Sequence, residues 1–253
     1  MKVSFITGGA TGIGRATIEK FIHEGIKVAF LDNNIEESEK LVTKYDNKNI
    51  IFIKGDVKNL KDIYNAVEIA IQKFGRIDNV FANAGIHRSN SIFSITEEDW
   101  DLVLDTNLKS IVFTVKYCIP HILKQKVGSV VLMGSDQSII GKPNNLAYGA
   151  TKGAIAQITK SLALELASNN VNVNTVCPGT ILTPLTKKNI IRWANEEFNG
   201  NVEEATKAES ERFPVKRLGT PEEVADLVYF FAFQASTFLT GSVIPIDGGV
   251  TSN

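Results

Sequence analysis

The chain has 253 residues, 43% of them hydrophobic, which is enough apolar material for one sizeable core. Its 27 basic and 28 acidic side chains leave a net charge of −1, and no stretch is strongly basic. Binding to nucleic acid by phosphate neutralisation is therefore not expected.

No apolar run reaches the roughly 18–20 residues of a membrane span, and no long apolar leader opens the chain. A cytoplasmic address without a membrane partner is the expectation. Cys118 and Cys177 stand in apolar sequence without metal-ligand spacing. They read as small buried hydrophobes, and no metal is expected.

In chain order, the apolar run 3–7 stops at Gly8-Gly9-Ala10-Thr11-Gly12-Ile13-Gly14 and gives way to a helical pattern. Strand and helix signals then alternate: KVAFLD ending at Asp32, IEESEKLVTKY, NIIFIKGDV, NLKDIYNAVEIAIQKFG and RIDNVFANAG. The segment 96–125 reads as two helical pieces meeting near Asn107, with a capped start at Thr96 and Pro120 near its end. GSVVLMGS, the helix around Tyr148, NVNVNTVCPG, a helix from Pro221 and SVIPIDGG complete the series. Apolar strands alternating with helices predict α/β architecture: a single doubly wound, parallel, seven-stranded sheet of the Rossmann type, spanning 1–253 as one domain. Only 183–217 breaks the rhythm. It is polar, charged and expected to be irregular, and it reads as a lid over substrate.

The glycine-rich turn lies between the first strand and the first helix. Glycines there permit a tight turn and let backbone approach a pyrophosphate at the positive helix N-terminus. No Gly-Lys-Ser/Thr follows, which excludes a nucleotide-hydrolysing loop. Asp32 comes 18 residues after Gly14, where a carboxylate can accept ribose hydroxyls and repel a 2′-phosphate. Thr11, Asn33 and Asn34 supply no cation, so NAD is expected over NADP. The plainer reading makes Asp32 the N-cap of the next helix.

Tyr148 and Lys152 stand four apart in a strongly helical segment and share one face. A fixed ammonium near a phenol favours the phenolate and draws its pKa, ordinarily about 10, toward neutrality. Ser135 ends the fifth apolar strand, thirteen residues earlier.

Taken together, Thr7-Gly8-x-x-x-Gly12-x-Gly14, Asp56-Val57, Asn83-Ala84-Gly85, Asn107, Ser135, Tyr148-x-x-x-Lys152 and Pro178-Gly179 with Thr183 resemble the short-chain dehydrogenase/reductase family along essentially the whole chain. The resemblance implies that Tyr148 is the general acid/base and that Ser135 binds the substrate oxygen. It implies that Lys152 binds the nicotinamide ribose and lowers the Tyr148 pKa, and that Asn107 holds a water in a proton relay to Lys152. Gly8, Thr11, Gly12, Ile13, Gly14, Asp32 and Asn33 would hold the dinucleotide, with Asp56 and Val57 at the adenine. Asn83, Ala84 and Gly85 would line the ribose side, and Pro178, Gly179, Ile181 and Thr183 the carboxamide face. Self-association as a homotetramer, or failing that a dimer, is also implied.

Against the family pattern, Ala82 replaces a frequent Asn, and Ser135 is followed by the polar run Asp136-Gln137-Ser138. Three segments are expected to border the pocket: 86–91, 136–145 and the lid. They carry His87, Gln137, Asn144, Asn145, Lys187, Lys188, Arg192 and Trp193, a wall suited to a small polar substrate such as a hydroxy acid, sugar or polyol. Arg192 or Lys188 would suit a carboxylate, whereas His87 reads equally as a pocket residue or an ordinary loop histidine. The resulting expectation is NAD(H)-dependent hydride transfer between a secondary alcohol and its ketone. Two rivals stand beside it: a 3-oxoacyl-thioester reductase using NADPH, and a non-catalytic dinucleotide sensor.

Overall fold

The computed structural model describes residues 1–252. Seven strands form one sheet: β1 (Val3–Thr7), β2 (Lys27–Asp32), β3 (Ile50–Lys54), β4 (Asn79–Ala82), β5 (Gly128–Met133), β6 (Val171–Pro178) and β7 (Val243–Ile246). Their order is β3-β2-β1-β4-β5-β6-β7, and every pairing is parallel. The order reverses between β1 and β4, which opens a crevice at the carboxyl ends of these strands.

Strand side chains alternate between the two faces. Phe5, Leu31, Val80, Leu132 and Val173 pack into one core with helices α3 (Leu60–Phe74), α5 (Ser110–Ile122) and α6 (Leu146–Leu166). Ile6, Phe30, Phe81, Val131 and Val176 pack into the other, with α1 (Gly12–His23), α2 (Ile35–Val42) and α9 (Pro221–Tyr229). Both faces of the sheet are thus covered, and the expected doubly wound arrangement is present.

Three local features differ from the sequence expectation. Asn34, not Asp32, caps α2: its side chain accepts from the Glu37 N–H at 3.2 Å. That leaves the Asp32 carboxylate for other work. The two pieces near Asn107 are one continuous path, because α4 (Glu97–Leu104) runs into a π-turn at Asp105–Lys109 and then into α5. Ser110 N–H bonds back to the Asp105 carbonyl, five residues away, and the widened turn carries Asn107 fully buried. Finally, the lid is not irregular. It holds α7 (Pro184–Glu197) and α8 (Val202–Glu211), N-capped by Thr183 and Asn201. The two helices bury Ile190, Ala194 and Ala205 in a small core of their own.

Candidate active site

The crevice at the β1/β4 switch is built by close approach. Gly8 has φ +72, and a Cβ on it would come within 2.8 Å of the Ala84 backbone. A Cβ on Gly14 would lie 1.9 Å from the Gly8 carbonyl oxygen. Asn83 fixes this turn by donating through Nδ2 to the carbonyls of Thr7 (3.0 Å) and Gly8 (2.8 Å). The Thr7 hydroxyl in return accepts from the backbone N–H groups of Asn83 and Ala84.

Thr11, which precedes α1, makes no side-chain cap, so the first-turn N–H groups remain available to an anion. The Asp32 carboxylate hangs over the turn, accepting from Ala10 N–H and Asn34 N–H, each at 2.8 Å. Thr183 at the start of the lid abuts Gly12. A glycine cradle at a helix N-terminus beside an oriented carboxylate fits a dinucleotide.

Farther along the crevice, Gly85 faces Asn107, whose Oδ1 accepts from Ile86 N–H and whose Nδ2 donates to the Ile86 carbonyl, both at 2.8 Å. Gly179 packs between Phe213 and Asp247, and Ile181 is buried and bridges to Gly219. Asp56 stands at the edge, accepting from Lys58 N–H at 2.9 Å, while Val57 is buried in the core beneath.

The reactive groups meet where β5 and β6 end against the start of α6. Ser135 caps a single turn at Asp136–Ser138, so its hydroxyl oxygen accepts from Gln137 N–H at 3.2 Å. The same hydroxyl donates to Asp136 Oδ1 at 2.8 Å and lies beside the Tyr148 phenol. The Ser138 hydroxyl is engaged within the protein: it accepts from Ser135 N–H and donates to the Lys152 carbonyl.

Lys152 is 3% exposed and donates from Nζ to the Met133 carbonyl at 2.7 Å. Its Nζ lies 5.5 Å from the centre of the Tyr148 ring. Burial holds the Lys152 ammonium down to about 8. The expected lowering at Tyr148 is not found. Burial pushes the phenol up to about 12, the neighbouring Ser135 hydroxyl opposes this, and Asp136 and Cys177 reinforce it. The pocket wall is denser than a lone Lys–Tyr pair implies. Cys177, buried at the end of β6, borders both groups, and burial raises its thiol pKa.

His87 joins all three segments expected to border the pocket. Its Nε2 meets Asn145 Oδ1 at 2.5 Å, its Nδ1 meets Asn189 Nδ2 on α7 at 3.4 Å, and its ring stands edge-on to Tyr148 at 4.9 Å. Asn145 spends its Nδ2 on the Pro143 carbonyl, so Nε2 of His87 is the donor and Nδ1 the acceptor. Burial, with Arg192 and Lys142 nearby, lowers the His87 pKa and favours this neutral ring.

Gln137 is buried, and its Oε1 has no hydrogen-bond partner. It lines a cavity of about 330 Å³ with Lys142, Asn145 and Gly149. Arg192 is exposed, with only a 3.9 Å contact to Glu196. Lys187 and Lys188 are exposed as well, and Trp193 is turned into the lid core against Phe198.

Sequence reasoning missed two residues of this arrangement and one contact. Asn189 is one turn of α7 away from Arg192. Lys142 is masked by its loop setting. The reach of Cys177 toward Lys152 follows only from the pairing of β5 with β6.

The fold and this site define a dinucleotide-linked oxidoreductase. The family model described as enoyl-(acyl carrier protein) reductase matches residues 8–251. The 3-oxoacyl-(acyl-carrier-protein) reductase FabG of Thermotoga maritima is 38% identical over 256 aligned positions, covering 98% of this chain and 97% of that one. A short chain dehydrogenase family protein of Francisella tularensis superposes with a TM-score of 0.90 at 40% identity over 100% of both chains. The aldohexose dehydrogenase of Thermoplasma acidophilum gives 0.88 at 31% identity, over 100% of this chain and 94% of that one. ElxO with NADP bound gives 0.88 at 30%, over 100% and 99%. The chain belongs to the short-chain dehydrogenase/reductase family.

Proposed function

We propose that the protein interconverts a ketone and a secondary alcohol on a small polar substrate, using NAD(H). The observation that carries this reading is the convergence of Tyr148, Ser135 and Lys152 at one end of a crevice whose other end presents Asp32. The dinucleotide, when bound, supplies or accepts the hydride.

The chain's own residues do the rest. The glycine turn and the α1 N-terminus bind phosphate, and Asp32 accepts ribose hydroxyls. Lys152 holds the nicotinamide side, and Asn107 fixes the Ile86 backbone beside it. Tyr148 gives its proton to the carbonyl oxygen in reduction, or receives it in oxidation. Ser135 offers its hydroxyl to the same substrate oxygen. His87, Asn145, Gln137 and Arg192 border the substrate, and the helical lid over 183–217 closes on it. The unpartnered Gln137 Oε1 favours a substrate with a hydroxyl donor, and Arg192 favours one with a carboxylate.

A second reading, reduction of a 3-oxoacyl thioester with NADPH, is supported by the similarity to FabG and to the NADP-bound ElxO. Asp32, without a cation at Thr11, Asn33 or Asn34, supports NAD instead. Calorimetric titration with NADH and NADPH, followed by turnover on hydroxy acids, sugars, polyols and a 3-oxoacyl thioester, separates the two. Tighter NADH binding that weakens in Asp32→Ala supports the first reading. NADPH preference with thioester turnover replaces it by the second, and binding without turnover on any class points to a sensor.

A further inference from the structure

The lid helix α7 packs on α8, and its buried residues Ile190 and Ala194 belong to the small lid core rather than to the sheet. At the base of α7, Thr183 abuts Gly12 of the glycine turn. Six residues on, about 9 Å along the helix, Asn189 Nδ2 donates to His87 Nδ1 at 3.4 Å. Among the described residues this is the one side-chain hydrogen bond that α7 makes outside the lid.

His87 is itself fixed from two other sides. Its Nε2 donates to Asn145 Oδ1 at 2.5 Å, and Asn145 leads directly into α6. Its ring stands 4.9 Å from the Tyr148 ring at an interplanar angle of 70°, the edge-on geometry that aromatic pairs favour. The two hydrogen bonds are unequal: the short one holds His87 to the pocket, and the long one reaches the lid. When α7 moves, the bond to Asn189 is the one that yields, and His87 stays with Tyr148.

We propose that His87 is a positioning residue with two attachments: it sets the resting place of α7 over the substrate pocket, and it braces the Tyr148 ring from the side. This rests on reading Tyr148 as the group that exchanges the substrate proton. Both ring nitrogens are engaged with the protein, so His87 acts on substrate through α7 and the phenol and not by a bond of its own.

The titratable and charged groups around the ring are Tyr148 from α6, Lys142 from the segment 136–145 and Arg192 from α7. Lys142 is paired with Asp136 at 2.5 Å, and Arg88, next to His87 in the chain, is exposed and 3.9 Å from Asp99. Both charges that act on the ring are cationic, and together with burial they hold His87 below the ordinary histidine range.

The first test needs no substrate. The His87 ring is titrated by carbon-13 NMR, its signal assigned by its loss in His87→Phe. Asn189→Asp sets a carboxylate against Nδ1 and is expected to raise the His87 midpoint by about one pH unit. An unchanged midpoint in that variant means that α7 does not rest on His87, and it overturns the proposal.

The second test is the split between KM and kcat on the alcohol or ketone that the wild type turns over best. His87→Phe keeps a ring beside Tyr148 and loses both hydrogen bonds, so KM is expected to rise about tenfold with kcat reduced no more than about twofold. His87→Ala removes the ring as well, and kcat is expected to fall by about a further tenfold. Should His87→Ala not fold, His87→Leu fills the volume without a ring and serves in its place. Equal kcat values with and without the ring overturn the bracing of Tyr148, and an unmoved KM in His87→Phe overturns the hold on α7. A wild-type protein without turnover on any ketone or alcohol counts against the proposed function, and the NMR titration then decides the hold on α7 alone.

Discussion

Tyr148 and Lys152 share one face of α6, yet burial moves both away from their charged forms. The phenol rises to about 12 and the ammonium falls to about 8. Tyr148→Phe removes the proton carrier and nothing from the dinucleotide cradle. Turnover should fall by about 10²–10⁴-fold with NADH affinity unchanged by calorimetry; near-normal turnover would remove Tyr148 from the acid/base role.

For Lys152 the linkage has a definite sign. Its pKa is lowered from 10.5 in the unfolded chain to about 8 in the fold, so carrying the proton costs stability. The penalty, on the order of 3 kcal/mol, is fully present below pH 8 and lifts as pH rises toward 10.5. Lys152→Met should therefore lose turnover while its melting temperature at pH 7 rises by a few degrees. A lower melting temperature would show that the Met133 hydrogen bond outweighs the buried charge.

At this scale the sequence was informative where chemistry depends on spacing, as at Tyr148 and Lys152. It was silent where the partner lies in another segment. Nothing in the order of residues shows that Asp136 will take the Ser135 proton, or that Asn34 will relieve Asp32 of capping α2.

Among the elements, the alternation of apolar runs and glycine turns made every sheet strand legible, because parallel strands buried on both faces are mostly apolar, and polar residues within them, such as Asn172 and Asn174 of β6, are few enough to leave the runs visible. The lid was not legible. Its helices have few apolar positions, and Ile190, Ala194 and Ala205 are buried against one another rather than against the sheet. Such a pattern is weak in one dimension and becomes a core only when two short helices pair.

The π-turn at Asp105–Lys109 was hidden for a related reason: one extra residue in a helical turn leaves no compositional mark. The link between lid and pocket is His87 to Asn189. Asn189→Ala removes that tie without touching Tyr148 or the glycine turn. Loss of one hydrogen bond of about 1 kcal/mol should raise the substrate KM by roughly fivefold with kcat and NADH affinity nearly unchanged. Steady-state kinetics check this, and an unaltered KM would mean that the lid is held by other contacts.

On the scale of the whole molecule, β7 is an edge strand, and apolar side chains stand exposed near and beyond it. Ile244 is on the strand itself, Phe230 and Phe238 lie on the segment before it, and Leu164 is on α6. Edge strands are usually covered or charged, and this one carries neither Lys nor Glu. In line with the self-association implied by the family resemblance, light scattering is expected to give a mass four times the 27.7 kDa chain. A dimer would mean that only one such face is covered, and a monomer would refute the expectation.

Cys118 and Cys177 are both sealed from solvent, the first inside the core formed by α3, α5 and α6, the second at the floor of the active site beside Lys152. Neither thiol can meet a reagent until something around it opens, so each is a clock for a different opening. A disulfide reagent in excess would label Cys118 at the rate of global unfolding. It would label Cys177 at the rate at which the crevice breathes, and a bound dinucleotide would slow that second rate by the factor with which it favours the closed form.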